Sequence, residues 1–261
     1  MESKETTSDI KSHQPAELFG LIGYPLGHSF SAKFFADKFE RENIDAAYHN
    51  FEIEQADRLI DIVKTHPTLK GFNVTIPHKQ AVIPFLYDMS EEARAIGAVN
   101  VVRVIRQGDD FKLKGYNSDV IGFCRSLQPL LRPHHTKALV LGTGGASKAV
   151  MYGLRKLGIV PTYVSRTRRD GVLAYEDLTQ DIISKHQVIV NCSPVGMFPH
   201  IDECPDIPYH FLTSDHLLYD LVYNPLETLF LKKGAAQGAT TKNGLEMLHL
   251  QALASWDFWH E

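Results

Sequence analysis

At 261 residues, with 44% hydrophobic and 22% charged side chains, the chain has the composition of a globular protein with enough length for a full core. A net charge of −4 without a basic stripe argues against nucleic acid as a partner, and no apolar run approaches the roughly 18 residues that would span a bilayer. Three cysteines without CxxC spacing and 13 histidines without an HExxH pattern indicate free thiols in a cytoplasmic protein with no metal site.

Residues 1–15 are polar and lack the apolar stretch of a signal peptide, so a disordered lead-in is expected there. Apolar residues over 18–23 predict a first strand that closes in the turn Tyr24-Pro25-Leu26-Gly27. Phe34, Phe35 and Phe39 lie near helical spacing and predict a helix over 31–43. A strand over 46–51, a helix over 55–65 and a strand over 71–76 follow. Ser90 ahead of Glu91 and Glu92 marks the start of a helix over 90–96, because a hydroxyl caps free N–H groups and acidic residues favour the first turn. Segments 98–105 and 111–115 flank Gln107-Gly108-Asp109-Asp110, a hairpin signal. Strands alternating with helices predict a mostly parallel sheet.

Two prolines and two histidines mark a break over 129–136, and the pattern then changes. Ala138-Leu139-Val140-Leu141 is a short continuous apolar run, as expected of a parallel strand buried on both faces. It leads into Gly142-Thr143-Gly144-Gly145-Ala146-Ser147-Lys148 and a helix over 149–157. Strands over 161–165, 188–191 and 217–221 and helices over 229–237 and 245–259 complete the chain.

Two places carry chemistry. In the run 71–79, Asn73 and Thr75 fall on one side of an extended segment, since strand side chains alternate. Pro77 removes a ladder donor and ends the strand, and Lys79 follows on a loop. An amide, a hydroxyl and an ammonium together suit a small substrate with hydroxyl or carboxylate groups; an ordinary strand end with solvated polar residues is the other reading. The second place is the strand, glycine turn and helix around Gly142, the order of a dinucleotide-binding unit. Gly142 allows the tight turn, Gly144 lets backbone approach a pyrophosphate, and Ser147 stands where the third small residue is usual. After the next strand, Ser165-Arg166-Thr167 replaces the acidic residue of NAD sites. A guanidinium there favours the 2′-phosphate of NADP, unless the segment is only a solvated basic turn. Asn117-Ser118-Asp119 reads either as a helix cap or as an acidic partner for a lysine, and Asn100 either as a satisfied buried amide or as a ligand contact.

The whole series resembles the shikimate dehydrogenase family from about residue 18 to 259. The resemblance rests on Gly23-Tyr24-Pro25-Leu26-Gly27-His28-Ser29-Phe30-Ser31, the run 71–79, Gly97-Ala98-Val99-Asn100, Gly115-Tyr116-Asn117-Ser118-Asp119 and the Gly142 turn. It continues through Ser165-Arg166-Thr167, Asn191-Cys192-Ser193-Pro194, Asp220-Leu221-Val222-Tyr223-Asn224-Pro225 and Gly244-Leu245-Glu246-Met247-Leu248 with Gln251. It implies an α/β protein of two domains: a substrate domain of residues 16–119 plus 239–261, and a Rossmann-type doubly wound NADP domain of residues 120–238, with the C-terminal helix returning to the first. The implied activity is NADPH-dependent reversible reduction of 3-dehydroshikimate to shikimate; a broader quinate/shikimate dehydrogenase and a non-catalytic metabolite sensor are the alternatives. The resemblance assigns Ser29 and Ser31 to the substrate carboxylate, and Asn73, Thr75, Lys79, Asn100 and Asp119 to the ring hydroxyls. Tyr223 and Gln251 complete the pocket, and Lys79 and Asp119 are the catalytic pair. It places NADP on Gly142, Gly144, Gly145, Ala146, Ser165, Arg166, Thr167 and Gly244. The expected partner is this small molecule alone, with no nucleic acid or membrane, in a monomer or homodimer. Ala32, Ser118 and Ser193 depart from the family pattern, and the segment between Arg169 and Val188 is short, so a cut-down helix is expected there.

Overall fold

Two six-stranded sheets organise the chain, described in a computed structural model for residues 15–27, 30–108 and 110–261. The expected lead-in, apart from Pro15, and Ser29 lie outside the described residues. The first part comprises β1 (Glu17–Gly23), α1 (Phe30–Glu42), β2 (Ala46–Glu52), α2 (Leu59–Thr65), β3 (Leu69–Val74), β4 (Asp88–Met89), α3 (Glu91–Ile96), β5 (Val101–Gln107) and β6 (Asp110–Tyr116). Its sheet has the order β2-β1-β3-β5-β6-β4. β1 runs parallel to β2 and β3, and β5 runs antiparallel to β3 and β6, so the predicted hairpin forms. The predicted Ser90 cap forms too: its hydroxyl accepts from Ala93 N–H.

The second part comprises α4 (Asp119–Leu127), β7 (Lys137–Leu141), α5 (Gly145–Lys156), β8 (Val160–Ser165), β9 (Val172–Ala174), α6 (Gln180–Lys185), β10 (Val188–Asn191), β11 (Leu217–Asp220), α7 (Leu229–Ala235), β12 (Thr240–Lys242) and α8 (Leu245–Trp259). Its order is β12-β11-β10-β7-β8-β9 and every pair is parallel. The chain moves outward from β7 through β8 to β9, then crosses back to β10 on the other side. That is a doubly wound sheet, with its switch point between β7 and β10, where such sheets bind ligands at their carboxyl ends. Ala138, Leu139, Val140 and Leu141 are completely buried, as their unbroken apolar run requires.

The structure adds detail at three points of the chain-order reading. Residues 240–242 form β12, which pairs with β11 in the second sheet. α5 starts at Gly145, four residues before the predicted helix, because the glycine turn is already the first helical turn. The cap reading of Asn117-Ser118-Asp119 is met by Asn117, whose Oδ1 accepts the Val120 N–H, and Asp119 is the first residue of α4. Between Arg169 and Val188, α6 is only six residues long.

α4 and α8 join the two parts. Phe123 and Leu127 of α4 and Met247 of α8 pack into the second sheet's core. Farther along α8, Ala252 and Trp259 pack with Phe19, Phe35, Val101 and Tyr116 of the first. Trp259 stacks on Phe19 at 4.7 Å and packs against Gly71, where a Cβ would come within 2.2 Å of the indole. Only glycine lets α8 approach β3 this closely, and that approach carries Gln251 and Ser255 to the end of β3. Among the described residues no helix is long and apolar enough to cross a membrane.

Candidate active site

A cavity of about 600 Å³ opens between the two sheets. Ser31, Asn73, Thr75, Lys79, Asn100, Asp119, Tyr223 and Gln251 all line it, so the predicted substrate and catalytic residues that are described converge on one site. Leu21, Val74, Met247 and Leu248 supply apolar wall. β3 ends at Val74, whose N–H pairs with Asn100 C=O, and the Thr75 N–H pairs with Ile22 C=O. The loop beyond is pinned twice. Buried His78 donates from Nε2 to Ile53 C=O at 2.7 Å, and the Val99 N–H reaches Lys79 C=O at 2.7 Å. Lys79 therefore sits on a fixed loop, and its position owes nothing to strand regularity.

Lys79 Nζ lies 2.6 Å from Asp119 Oδ2, with the two side chains 18% and 11% exposed. The other carboxylate oxygen accepts from Asn100 Nδ2 at 2.8 Å. Asn100 Nδ2 also bonds Ser118 Oγ at 3.0 Å, and its Oδ1 accepts the Ser118 N–H at 2.7 Å. Asn100 is thus a satisfied buried amide on the cavity wall that orients Asp119. A pair this shielded does little for stability, since desolvation offsets attraction, but it presents an ammonium at a defined point in a partly dry cleft. The ammonium has three donors and Asp119 takes one, which leaves capacity for a substrate oxygen.

A second cavity of about 710 Å³ lies at the carboxyl ends of β7, β8 and β10. Gly142, Gly144, Ser165, Arg166 and Thr167 line it, while Ala146 and Gly244 line the first cavity. Gly145 opens α5 and lies in neither lining. Gly142 has φ +105°, a conformation closed to other residues, and no protein atom stands within 4 Å of where a Cβ would be on Gly144 or Gly145. That turn, open space above it and a helix N-terminus fit a pyrophosphate. Ser147 Oγ donates to Gly144 C=O at 2.7 Å, so the residue that departs from the usual glycine locks the turn.

The basic loop holds a residue that sequence reasoning missed. Arg169 lines this cavity beside Arg166 and reaches Thr143 Oγ1 at 3.4 Å. Arg168 is held instead by Asp177, Nε to Oδ2 at 3.0 Å, and Asp177 also accepts the Ala174 N–H. The i, i+3 spacing of Arg166 and Arg169 across a turn was the available signal. Ser165 Oγ donates to Thr167 C=O at 2.6 Å, so this hydroxyl shapes the turn.

Behind the second cavity, Asp220 is fully buried. Its Oδ1 accepts from Asn191 Nδ2 and the Val222 N–H, both at 3.0 Å, and its Oδ2 from Thr228 Oγ1 at 2.6 Å. Asn191 Oδ1 in turn accepts from Ser193 N–H and Oγ, which fixes Ser193 on the cavity wall. Burial pushes the Asp220 carboxyl up to about 6, against hydrogen bonds that pull it down. A carboxyl raised on folding holds its proton more tightly in the folded chain. Its favourable contribution is complete below the unfolded value, near 4, and is lost as pH rises through about 6. Asp220→Asn is therefore expected to destabilise more at about pH 4 than at about pH 8, with a difference of up to about 3 kcal/mol. Urea unfolding at both values measures it, and an equal cost at both would refute it.

Residues 21–102 match the family described as the shikimate dehydrogenase substrate binding domain. A shikimate dehydrogenase (NADP(+)) of Clostridium beijerinckii is 37% identical over 257 residues, 94% of this chain and 92% of its own. The crystal structure of shikimate 5-dehydrogenase from Thermus thermophilus in complex with NADP(H) and shikimate superposes with a TM-score of 0.80 at 30% identity, covering 93% of each chain. Quinate dehydrogenase from Corynebacterium glutamicum in complex with NAD gives a TM-score of 0.82 at 27% identity, covering 94% of each.

Proposed function

The chain belongs to the shikimate dehydrogenase family, and on that premise we propose that it catalyses the NADP-dependent, reversible reduction of 3-dehydroshikimate to shikimate in aromatic amino-acid biosynthesis. The observation that carries this reading is the Lys79–Asp119 pair at 2.6 Å in the cleft between the two sheets. NADP, when bound on the Gly142 turn, supplies or accepts the hydride. The proton that must move with it has to come from the chain. Lys79 gives that proton to the substrate carbonyl oxygen in the reducing direction and takes it back in the other, while Asp119 holds the amine in place. Ser31, with Ser29, binds the carboxylate. Thr75, Asn100, Tyr223 and Gln251 hold the ring, and Asn73 contributes its remaining acceptor. Arg166 and Arg169 hold the 2′-phosphate.

In this reading residues 16–119 with α8 form the substrate unit and the segment from 120 through β12 the cofactor unit. The enzyme works in the cytoplasm as a monomer or homodimer. The likeness to a quinate dehydrogenase keeps broader specificity as the second reading. A steady-state assay with shikimate and quinate, each against NADP and NAD, decides. Turnover is expected to be fastest with shikimate and NADP. Preference for quinate or NAD would select the second reading, and no turnover with any pair would leave a metabolite sensor.

A further inference from the structure

We propose that Tyr48 on β2 and Ser255 on α8 are positioning residues for the substrate, because together they dictate which way the Asn73 amide faces. The inference rests on reading the cleft as the shikimate site. Asn73 is 6% exposed and fully engaged as a donor. Its Nδ2 donates to Ser255 Oγ at 2.9 Å and toward Asn100 C=O at 3.4 Å, and its Oδ1 accepts from Tyr48 OH at 2.8 Å.

An amide against a tyrosine hydroxyl is ambiguous, because the hydroxyl serves either end as donor or acceptor. Ser255 removes the ambiguity. Its own proton goes to Gln251 C=O, one helical turn back, at 2.8 Å, so its oxygen must accept. Nδ2 therefore faces Ser255 and Oδ1 faces Tyr48. Tyr48 is then forced to donate to Asn73. A directed chain of donors runs from Tyr48 on β2 through Asn73 and Ser255 to Gln251 C=O on α8.

One consequence follows for recognition. The only valence Asn73 keeps for a ligand is one lone pair of Oδ1, so it selects a hydroxyl donor and disfavours a carbonyl. Ser255 further contacts Ser118 Oγ at 3.2 Å, which accepts from Asn100 Nδ2, so the chain joins the shell around Asp119.

Tyr48→Phe tests this with little disturbance, because the ring keeps its stack on Phe35 at 4.9 Å and only the hydroxyl goes. Shikimate binding measured by calorimetry is expected to weaken about tenfold. In turnover the loss should fall on KM for shikimate and not on kcat, with KM for NADP unmoved. Ser255→Ala should weaken shikimate in the same direction. The double variant should lose no more than the larger single loss, because both act through one amide. Unchanged shikimate binding in Tyr48→Phe, an equal loss for NADP, or losses that multiply in the double variant would overturn the proposal. Wild-type protein that binds no shikimate would overturn the functional reading, and this inference with it.

Discussion

Lys79→Ala is expected to lower kcat by about 10²- to 10⁴-fold, the usual contribution of a positioned proton donor, with a much smaller change in shikimate affinity. The geometry separates the two effects. Shikimate affinity is shared among Ser31, Thr75, Asn100, Tyr223 and Gln251, which approach from different elements of the same cavity. Among the described residues Lys79 is the well-placed proton donor, an ammonium held at 2.6 Å by a carboxylate whose other oxygen is fixed by Asn100. The loop bearing Lys79 is tied through His78 and the Val99 N–H, so the residues of that loop are held in place. The substitution also leaves Asp119 in the cleft without its cation, so a modest loss of stability should accompany the loss of rate. Steady-state kinetics in both directions, with shikimate affinity measured separately, check the split. Near-normal kcat would remove Lys79 from the chemistry, and a loss confined to KM would make it a binding residue only.

Much of this arrangement can be read from the chain where the signal is local. The strand over 188–191 and the helix over 245–259 appear with the predicted boundaries, because an unbroken apolar run and a long helical pattern each have clear ends. β9 and β12, of three residues each, and α6, of six, are too short to show a period, and their pairing is decided by neighbours already in place. Asp119 illustrates the limit at the site. Asp at the start of a helix is a normal cap, so the residues themselves leave the cap and the lysine partner equally open, and the contact with Lys79, 40 residues earlier, is made by the fold. Tyr48 and Ser255 lie 25 and 182 residues from Asn73. Nothing in their own segments marks them, since a tyrosine in a strand and a serine in a helix are ordinary. Asn73 draws attention as a ligand for its place near a strand end, yet its donors turn inward. Residue type shows which groups are available, and the tertiary contacts decide which valences remain for a ligand.

Cofactor choice rests on the loop after β8, and Arg166→Asp is expected to weaken NADP by about 10- to 150-fold, or roughly 1.5–3 kcal/mol for a lost charge-assisted hydrogen bond. NAD should be unaffected or bind better, because a carboxylate at that point suits a free 2′-hydroxyl and repels a phosphate. Two guanidinia line the cavity there, so selectivity should shrink without inverting fully while Arg169 remains. Arg168 cannot replace Arg166, because Asp177 holds it and that carboxylate also anchors the Ala174 N–H. The turn itself should survive the change, since Ser165 Oγ and the Thr167 backbone shape it without the arginine. KM values for NADP and NAD at saturating shikimate measure the outcome. Equal losses for both would mean that Arg166 supports the loop and does not read the phosphate, and discrimination would then fall to Arg169 alone.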